Sequence, residues 1–176
     1  MRPPAPVLVV LGSLPGTGKT TIARIAASRL RAAYIRIDAI EQAMRSAGVL
    51  ARPDGVGPAG YMAAYALAKE NLRLGLPVVA DCVNPLPETR AAWREAAAPL
   101  PIVEVEVVCS DPAEHRRRVE ARTADLPGLV PPTWASVLRH EYAPWTGPRL
   151  VLDTASLGAE DAASRVCGEA AGLCAG

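Results

Sequence analysis

The chain has 176 residues, half of them hydrophobic and only 4% aromatic, and a formal net charge of +1. That length suits one domain with a sizeable core, and the balanced charge excludes a bulk electrostatic pull toward nucleic acid or an anionic membrane. No stretch approaches the ~18 apolar residues of a membrane span, and with Phe absent the core has to be built from Val, Ile, Leu and Ala.

Strands and helices are expected to alternate. The aliphatic run Val7–Leu11 predicts a strand buried on both faces. Lys19–Leu30 carries Ile22, Ala23, Ala26, Ala27 and Leu30 at helical spacing. A short strand over Ala33–Ile37 leads into a helix over Ala39–Ser46, and the Gly- and Pro-rich stretch Gly48–Gly60 reads as a loop. Tyr61–Leu74 is helical, Val78–Ala80 a third strand, and Glu88–Ala98 a helix stopped by Pro99. Ile102–Val108 is the fourth strand and Ala113–Arg122 the next helix; Pro127–Pro132 breaks the pattern before a helix over Trp134–Tyr142. Leu150–Leu152 is the fifth strand and Ala159–Ala171 the closing helix. Such alternation predicts an α/β fold, a three-layer α/β/α sandwich around a parallel sheet of about five strands.

The strongest motif is Gly12-Ser13-Leu14-Pro15-Gly16-Thr17-Gly18-Lys19-Thr20, after a predicted strand and opening a predicted helix. Glycines let successive backbone N–H groups curl around a phosphate, and the helix N-terminus adds unpaired donors and a positive dipole end. Pro15, Gly16, Thr17, Gly18, Lys19, Thr20 and Thr21 are the candidate nucleotide-binding residues. Lys19 would meet the β- and γ-phosphates of ATP, and the Thr20 hydroxyl would ligate Mg²⁺. The pattern GxxxxGK[ST] asks for Gly where this chain has Ser13, so the first turn of the loop departs from it.

Carboxylates follow at predicted strand ends, where open parallel sheets bind ligands. Asp38, closing Tyr34-Ile35-Arg36-Ile37-Asp38, would touch substrate and take a hydroxyl proton as general base, or else cap the following helix. Asp81, closing Val78-Val79-Ala80-Asp81, would hold Mg²⁺ with Thr20, or start a turn. Asn84 is a candidate substrate contact on the same rim, although Asn84-Pro85 is also ordinary turn chemistry.

Arg118 and Arg122 share a helix face with Val119. Together with the breaker Pro127-Gly128 they suit a lid over residues 116–134 that brings guanidinium groups to a transferring phosphoryl; the competing reading is a solvated basic face. His115 reads as a capping or surface residue. Asp153-Thr154 would begin an adenine-facing loop or cap the last helix. Tyr61, Tyr65, Trp134, Tyr142 and Trp145 read first as core or rim packing. The four cysteines, Cys82, Cys109, Cys167 and Cys174, lack CxxC spacing and read as reduced, buried thiols of a cytoplasmic protein.

In Leu14–Thr21, Tyr34–Glu41, Val78–Pro85, Cys109–Arg122 and Leu150–Thr154, the chain resembles a family of small P-loop kinases of the AAA-family, predicted ATP-binding group. These are related to adenylylsulfate kinase, gluconate kinase, chloramphenicol phosphotransferase, the zeta toxins and polynucleotide kinase. The resemblance implies a P-loop NTPase fold with a parallel sheet of order 2-3-1-4-5, ATP as phosphoryl donor, Asp38 as base, and Arg118 and Arg122 as lid arginines. It does not choose an acceptor.

The expected function is a kinase acting on a hydroxyl-bearing small molecule, as a monomer or homodimer, without nucleic acid or membrane. The alternatives are an RNA, tRNA or polynucleotide end kinase, and a nucleotide-gated regulatory ATPase. Gly48–Gly60 is expected to help select the acceptor.

Overall fold

A computed structural model describes residues 6–48 and 57–175. The elements run β1 (Leu8–Gly12), α1 (Lys19–Leu30), β2 (Ala33–Arg36), α2 (Ile37–Ser46), α3 (Ala59–Arg73) and β3 (Val78–Cys82). They continue with α4 (Pro87–Ala97), β4 (Ile102–Val108), α5 (Pro112–Glu120), α6 (Trp134–Leu138), β5 (Leu150–Asp153) and α7 (Ala159–Ala175). The five strands form one sheet of order β2-β3-β1-β4-β5 with every pairing parallel, as expected.

Strand β1 sits at the centre, with Leu8 opposite Val78 on one side and Ile102 on the other, and all five of its residues are buried. Because side chains alternate across a strand, Val9 and Leu11 face one core while Leu8 and Val10 face another. On the first face α1 and α7 lay Ala23, Ala26, Ala162, Ala163 and Val166 against Val103, Val105 and Val107. On the second, Ala64, Ala68 and Leu72 of α3 and Trp93 of α4 cover Val78 and Ala80. Alanines on the buried helix faces let the helices approach the sheet closely, which is how a core without Phe still closes. Trp93 is the largest fully buried side chain.

Strand β4 is buried on one face only. Glu104 and Glu106 alternate with its valines and form ion pairs with Arg94 and Arg149.

Three helices differ from expectation; α5 ends at Glu120, so Arg122 lies past it rather than on a helix face shared with Arg118. Helix α2 begins at Ile37, so Asp38 lies in the first helical turn rather than at the strand end, and Arg36 holds the N-cap position. A carboxylate in that turn is favoured by the helix dipole. Helix α6 stops at Leu138 instead of reaching Tyr142. Beyond it the Ala143 N–H donates to the Pro85 carbonyl, and Arg90 captures the Ala143 and Pro144 carbonyls. These bonds fix the irregular backbone that follows the helix.

Candidate nucleotide and phosphoryl-transfer site

The chain leaves β1 at Gly12 and turns back to start α1 at Lys19. Gly16 and Gly18 make that turn with φ of 86° and 92°, in the left-handed region that side chains with a Cβ avoid. The Gly16 and Gly18 N–H groups have no hydrogen-bond partner among the described residues, which leaves them for an anion. Ser13 accounts for its own departure from the glycine pattern. Its buried hydroxyl accepts from Thr17 Oγ1 at 2.7 Å and donates to the Leu14 carbonyl at 3.1 Å. The first turn of the loop is therefore braced by side chains.

The outer side of the loop is gripped by α5 and the end of β5. His115 Nε2 donates to the Pro15 carbonyl at 2.8 Å, since a carbonyl can only accept. Thr154 Oγ1 donates to the Thr17 carbonyl at 2.7 Å. Arg118 reaches Thr154 Oγ1 and its carbonyl at 2.9 and 3.0 Å, with its Nε on Glu114 at 2.7 Å. His115 is buried and meets Trp134 edge-to-face at 5.1 Å, so it is not the surface or capping residue expected of it. Asp153 does not cap α7, which starts at Ala159; its carboxylate accepts from the Ser110 and Ala155 N–H groups and ties the loop after β4 to the turn after β5.

Asp81 is buried beneath the loop. It forms an ion pair with Lys19 and accepts from Tyr34 Oη at 2.7 Å and from the Thr20 hydroxyl. Burial alone would raise its pKa, but the Lys19 charge and the hydrogen bonds from Lys19, Tyr34 and Thr20 outweigh it and hold the carboxyl below its ordinary range. Tyr34 moves the other way: burial, and then the neighbouring Asp81 charge, push its phenol well above normal, so it stays a donor.

Asp38 opens on the same cleft of about 310 Å³ as the loop, Arg24, Arg118, Arg122 and Asp125. Its carboxylate is 39% exposed and lies 3.3 Å from Arg36 Nη2. The structure thus brings together Lys19, Thr20, Asp38, Arg118 and Arg122 around one cleft, with Asp81 directly beneath Lys19. A second hollow of about 440 Å³ lies between the start of α1 and residues 154–159, with Arg118 and Gly18 on the shared wall.

Asn84 does not join them. Its side chain is wholly buried, its backbone sits at φ 53°, and its N–H donates to Tyr61 Oη at 2.9 Å. The tight turn after β3 tucks it behind Gly12, so it has no surface to offer a substrate. The aromatic residues pack as expected: Tyr61, Tyr65 and Trp93 adjoin one another in the second core, and Trp145 stacks on Arg90. Of the cysteines only Cys82 is buried, its thiol pushed by burial up to about 12, whereas Cys174 at the chain end is exposed. Residues 49–56, the middle of the loop expected to select the acceptor, lie outside the described residues.

Several contributors to the site escaped the sequence reading. Arg36 carried a weak signal, a charged residue between Ile35 and Ile37 in a buried strand. Arg24, Tyr34 and Asp125 carried none, because their partners lie up to 101 positions away.

A parallel sheet of this order, with a glycine–lysine loop between its central strand and first helix, is a P-loop nucleotide-binding fold of the kinase-like type. Residues 7–130 match the family model described as an AAA domain, and the chain belongs to that family. Uncharacterized proteins of Mycobacterium tuberculosis and Mycobacterium bovis are 35% identical over 113 residues, covering 58% of this chain but only 23% of those longer relatives. Among solved structures, Kti12 of Chaetomium thermophilum in complex with ADP-AlF3 superposes with a TM-score of 0.68 at 23% identity, covering 96% of this chain and all of that one. A gluconokinase from Sinorhizobium meliloti gives 0.63 at 20% identity, covering 99% and 96%. The Mycobacterium tuberculosis APS kinase in complex with AMPPNP and APS gives 0.62 at 20% identity, covering 94% and 98%. At these identities the likeness is one of fold. No helix among the described residues is long and apolar enough to cross a membrane.

Proposed function

We propose that this chain is an ATP-dependent kinase that transfers the γ-phosphoryl group to a hydroxyl of a small molecule. The observation that carries this reading is the shared cleft, in which the P-loop lysine, a helix-turn carboxylate and two arginines face one volume. The acceptor oxygen bonds to the γ-phosphorus, the bond to the β–γ bridging oxygen breaks, ADP leaves, and the hydroxyl proton passes to Asp38. Lys19, Arg118 and Arg122 counter charge on the equatorial oxygens.

The adenine ring belongs in the hollow beside residues 154–159, whose size suits a flat heterocycle and whose wall includes Arg118. Thr20 and Asp81 supply a hydroxyl and a carboxylate, the oxygen donors a hard cation prefers, and would hold Mg²⁺ once Lys19 turns from Asp81 toward phosphate. When bound, Mg²⁺ supplies Lewis-acid charge on the phosphates.

We read residues 1–176 as one kinase domain, with residues 116–134 as a lid that excludes water. Against a nucleic-acid end kinase, many surface arginines are already paired with acids, among them Arg29, Arg94, Arg116, Arg117 and Arg149. They form no free basic track of the kind phosphate backbones require. The test is Asp38→Asn, which should keep ATP affinity within about twofold while lowering transfer by 10²-fold or more. Retained transfer would remove Asp38 from the mechanism. Nucleotide binding with no transfer to any hydroxyl compound would instead leave a nucleotide-gated regulator.

A further inference from the structure

Across the cleft mouth lies a charge constellation that phosphoryl transfer does not use. Arg36, at the end of β2, has a side chain only 3% exposed. It grips Asp125 with both terminal nitrogens, Nη1 on Oδ2 at 2.6 Å and Nη2 on Oδ1 at 3.0 Å. Arg24, one element away on α1, adds a third contact to Oδ2 at 2.9 Å. Two guanidiniums from two rigid elements therefore converge on one carboxylate, in the planar two-toothed geometry by which arginine recognises carboxylates and phosphates.

Asp125 itself belongs to neither element. It comes from residues 121–133, which form no helix or strand between α5 and α6, and its carboxylate is 35% exposed. That stretch also crosses α2, where Gly128 packs against the Gln42 amide. Asp125 thus lines the same cleft as Asp38, which shares Arg36 Nη2 with it at 3.3 Å. Arg36 Nε is buried with no hydrogen-bond partner among the described residues, so the guanidinium retains donor capacity beyond what Asp125 fills.

A buried guanidinium without an anion is costly, so the site demands a carboxylate-like occupant. Asp125 meets that demand from an irregular segment, within reach of the candidate base. We propose that Arg24 and Arg36 form the receptor for an anionic group, carboxylate or phosphate, on the hydroxyl acceptor, and that Asp125 is its intramolecular placeholder. The inference rests on the kinase reading above. When the acceptor's anion takes the Arg36 fork, Asp125 is released, the 121–133 segment loosens, and the acceptor hydroxyl comes beside Asp38. Without an acceptor, Asp125 keeps the Arg36 fork occupied.

The test uses the full chain saturated with Mg²⁺–AMPPNP, so that the P-loop cannot bind the probes. Calorimetry is run with D-glycerate, glycerol 3-phosphate and glycerol, which share hydroxyls and differ in charge. Asp125→Asn should tighten the two anions about tenfold and leave glycerol unchanged, because the competitor loses its charge. Arg24→Gln, a half-exposed position that should not disturb folding, should weaken both anions by a similar factor. Different gains for glycerate and glycerol 3-phosphate name the preferred anion. A purely structural ion pair would lower the melting temperature of Asp125→Asn with no gain in anion affinity, and that result overturns the proposal. So does an equal gain for glycerol, or an Arg24→Gln variant that binds the anions as the parent does. Failure to bind AMPPNP in the first place would sink the kinase reading instead.

Discussion

Replacing Gly16 by Ala separates two costs that the loop geometry imposes. The residue sits at φ 86°, and a Cβ there would lie 2.4 Å from Val119 Cγ2. The left-handed backbone costs an alanine about 1–2 kcal/mol. The contact falls more than 1 Å inside the ~3.5–4.0 Å optimum for carbon atoms. Relief requires α5 to back away, and overpacking of this kind costs about 1–3 kcal/mol. The sum is about 2–5 kcal/mol, or a fall in melting temperature of roughly 4–20 °C at this chain length.

Because α5 also carries His115, retreat stretches the 2.8 Å bond to Pro15, and nucleotide affinity should fall together with stability. Val119→Ala removes the obstructing methyls and by itself costs about 2 kcal/mol. The double variant should then recover about 1–3 kcal/mol relative to the sum of the singles. Gly18→Ala is the control: at φ 92° its nearest neighbour would be 3.8 Å away, so only the backbone cost applies and Val119→Ala should rescue nothing. Thermal and urea melts give the stabilities. Strict additivity of Gly16→Ala with Val119→Ala would refute the steric argument.

Arg90 is buried and donates to the carbonyls of Asn84, Pro85, Ala143 and Pro144 while stacking on Trp145 at 4.2 Å. Arg90→Lys keeps the charge but not the fork, and should cost about 2–4 kcal/mol in a denaturant melt. Asp125 is held well below the ordinary carboxylate range, first by its hydrogen bond to Arg36. A depressed folded-state pKa contributes stability that is present above the unfolded value, near 3.9, and lost as pH falls through the folded value. Asp125→Asn should therefore flatten the decline in melting temperature below about pH 4; an unchanged slope would show that the Arg36 pair does not form in solution. His115→Phe keeps the ring against Trp134 but removes the donor to Pro15, and should weaken nucleotide binding about three- to tenfold by calorimetry with less effect on stability.

Local order along the chain was open to sequence reasoning because its causes are local. The valine and isoleucine runs, the alanines at helical spacing, and Gly16-Thr17-Gly18-Lys19-Thr20 between a strand and a helix each announce themselves within a dozen residues. From them followed the alternation of elements and the position of the phosphate loop, and the resemblance added the strand order. Asp38 and Asp81 could be singled out as candidates because carboxyl ends of parallel strands face one edge, a property of topology rather than of neighbours, although Asp38 stands in the first turn of α2. Where the expectation slipped, the deciding contact was distant. Helix α6 ends at Leu138, and the chain just past its expected end is tied at Ala143 to Arg90 and Pro85, some 50 positions away. Asn84 left the site because Tyr61 and Gly12 enclose it.

What the sequence determined by itself was the class of fold and a loop shaped for phosphate, since hydrophobic period and glycine conformation act over one or two turns of chain. Only the tertiary structure decided that His115 and Thr154 brace that loop, that Tyr34 supports Asp81, and that Arg24 and Arg36 meet Asp125 across the cleft. Hydrogen bonds and ion pairs act over about 3 Å in space whatever the separation in sequence, and nothing in a linear order of residues records which side chains folding brings within that reach.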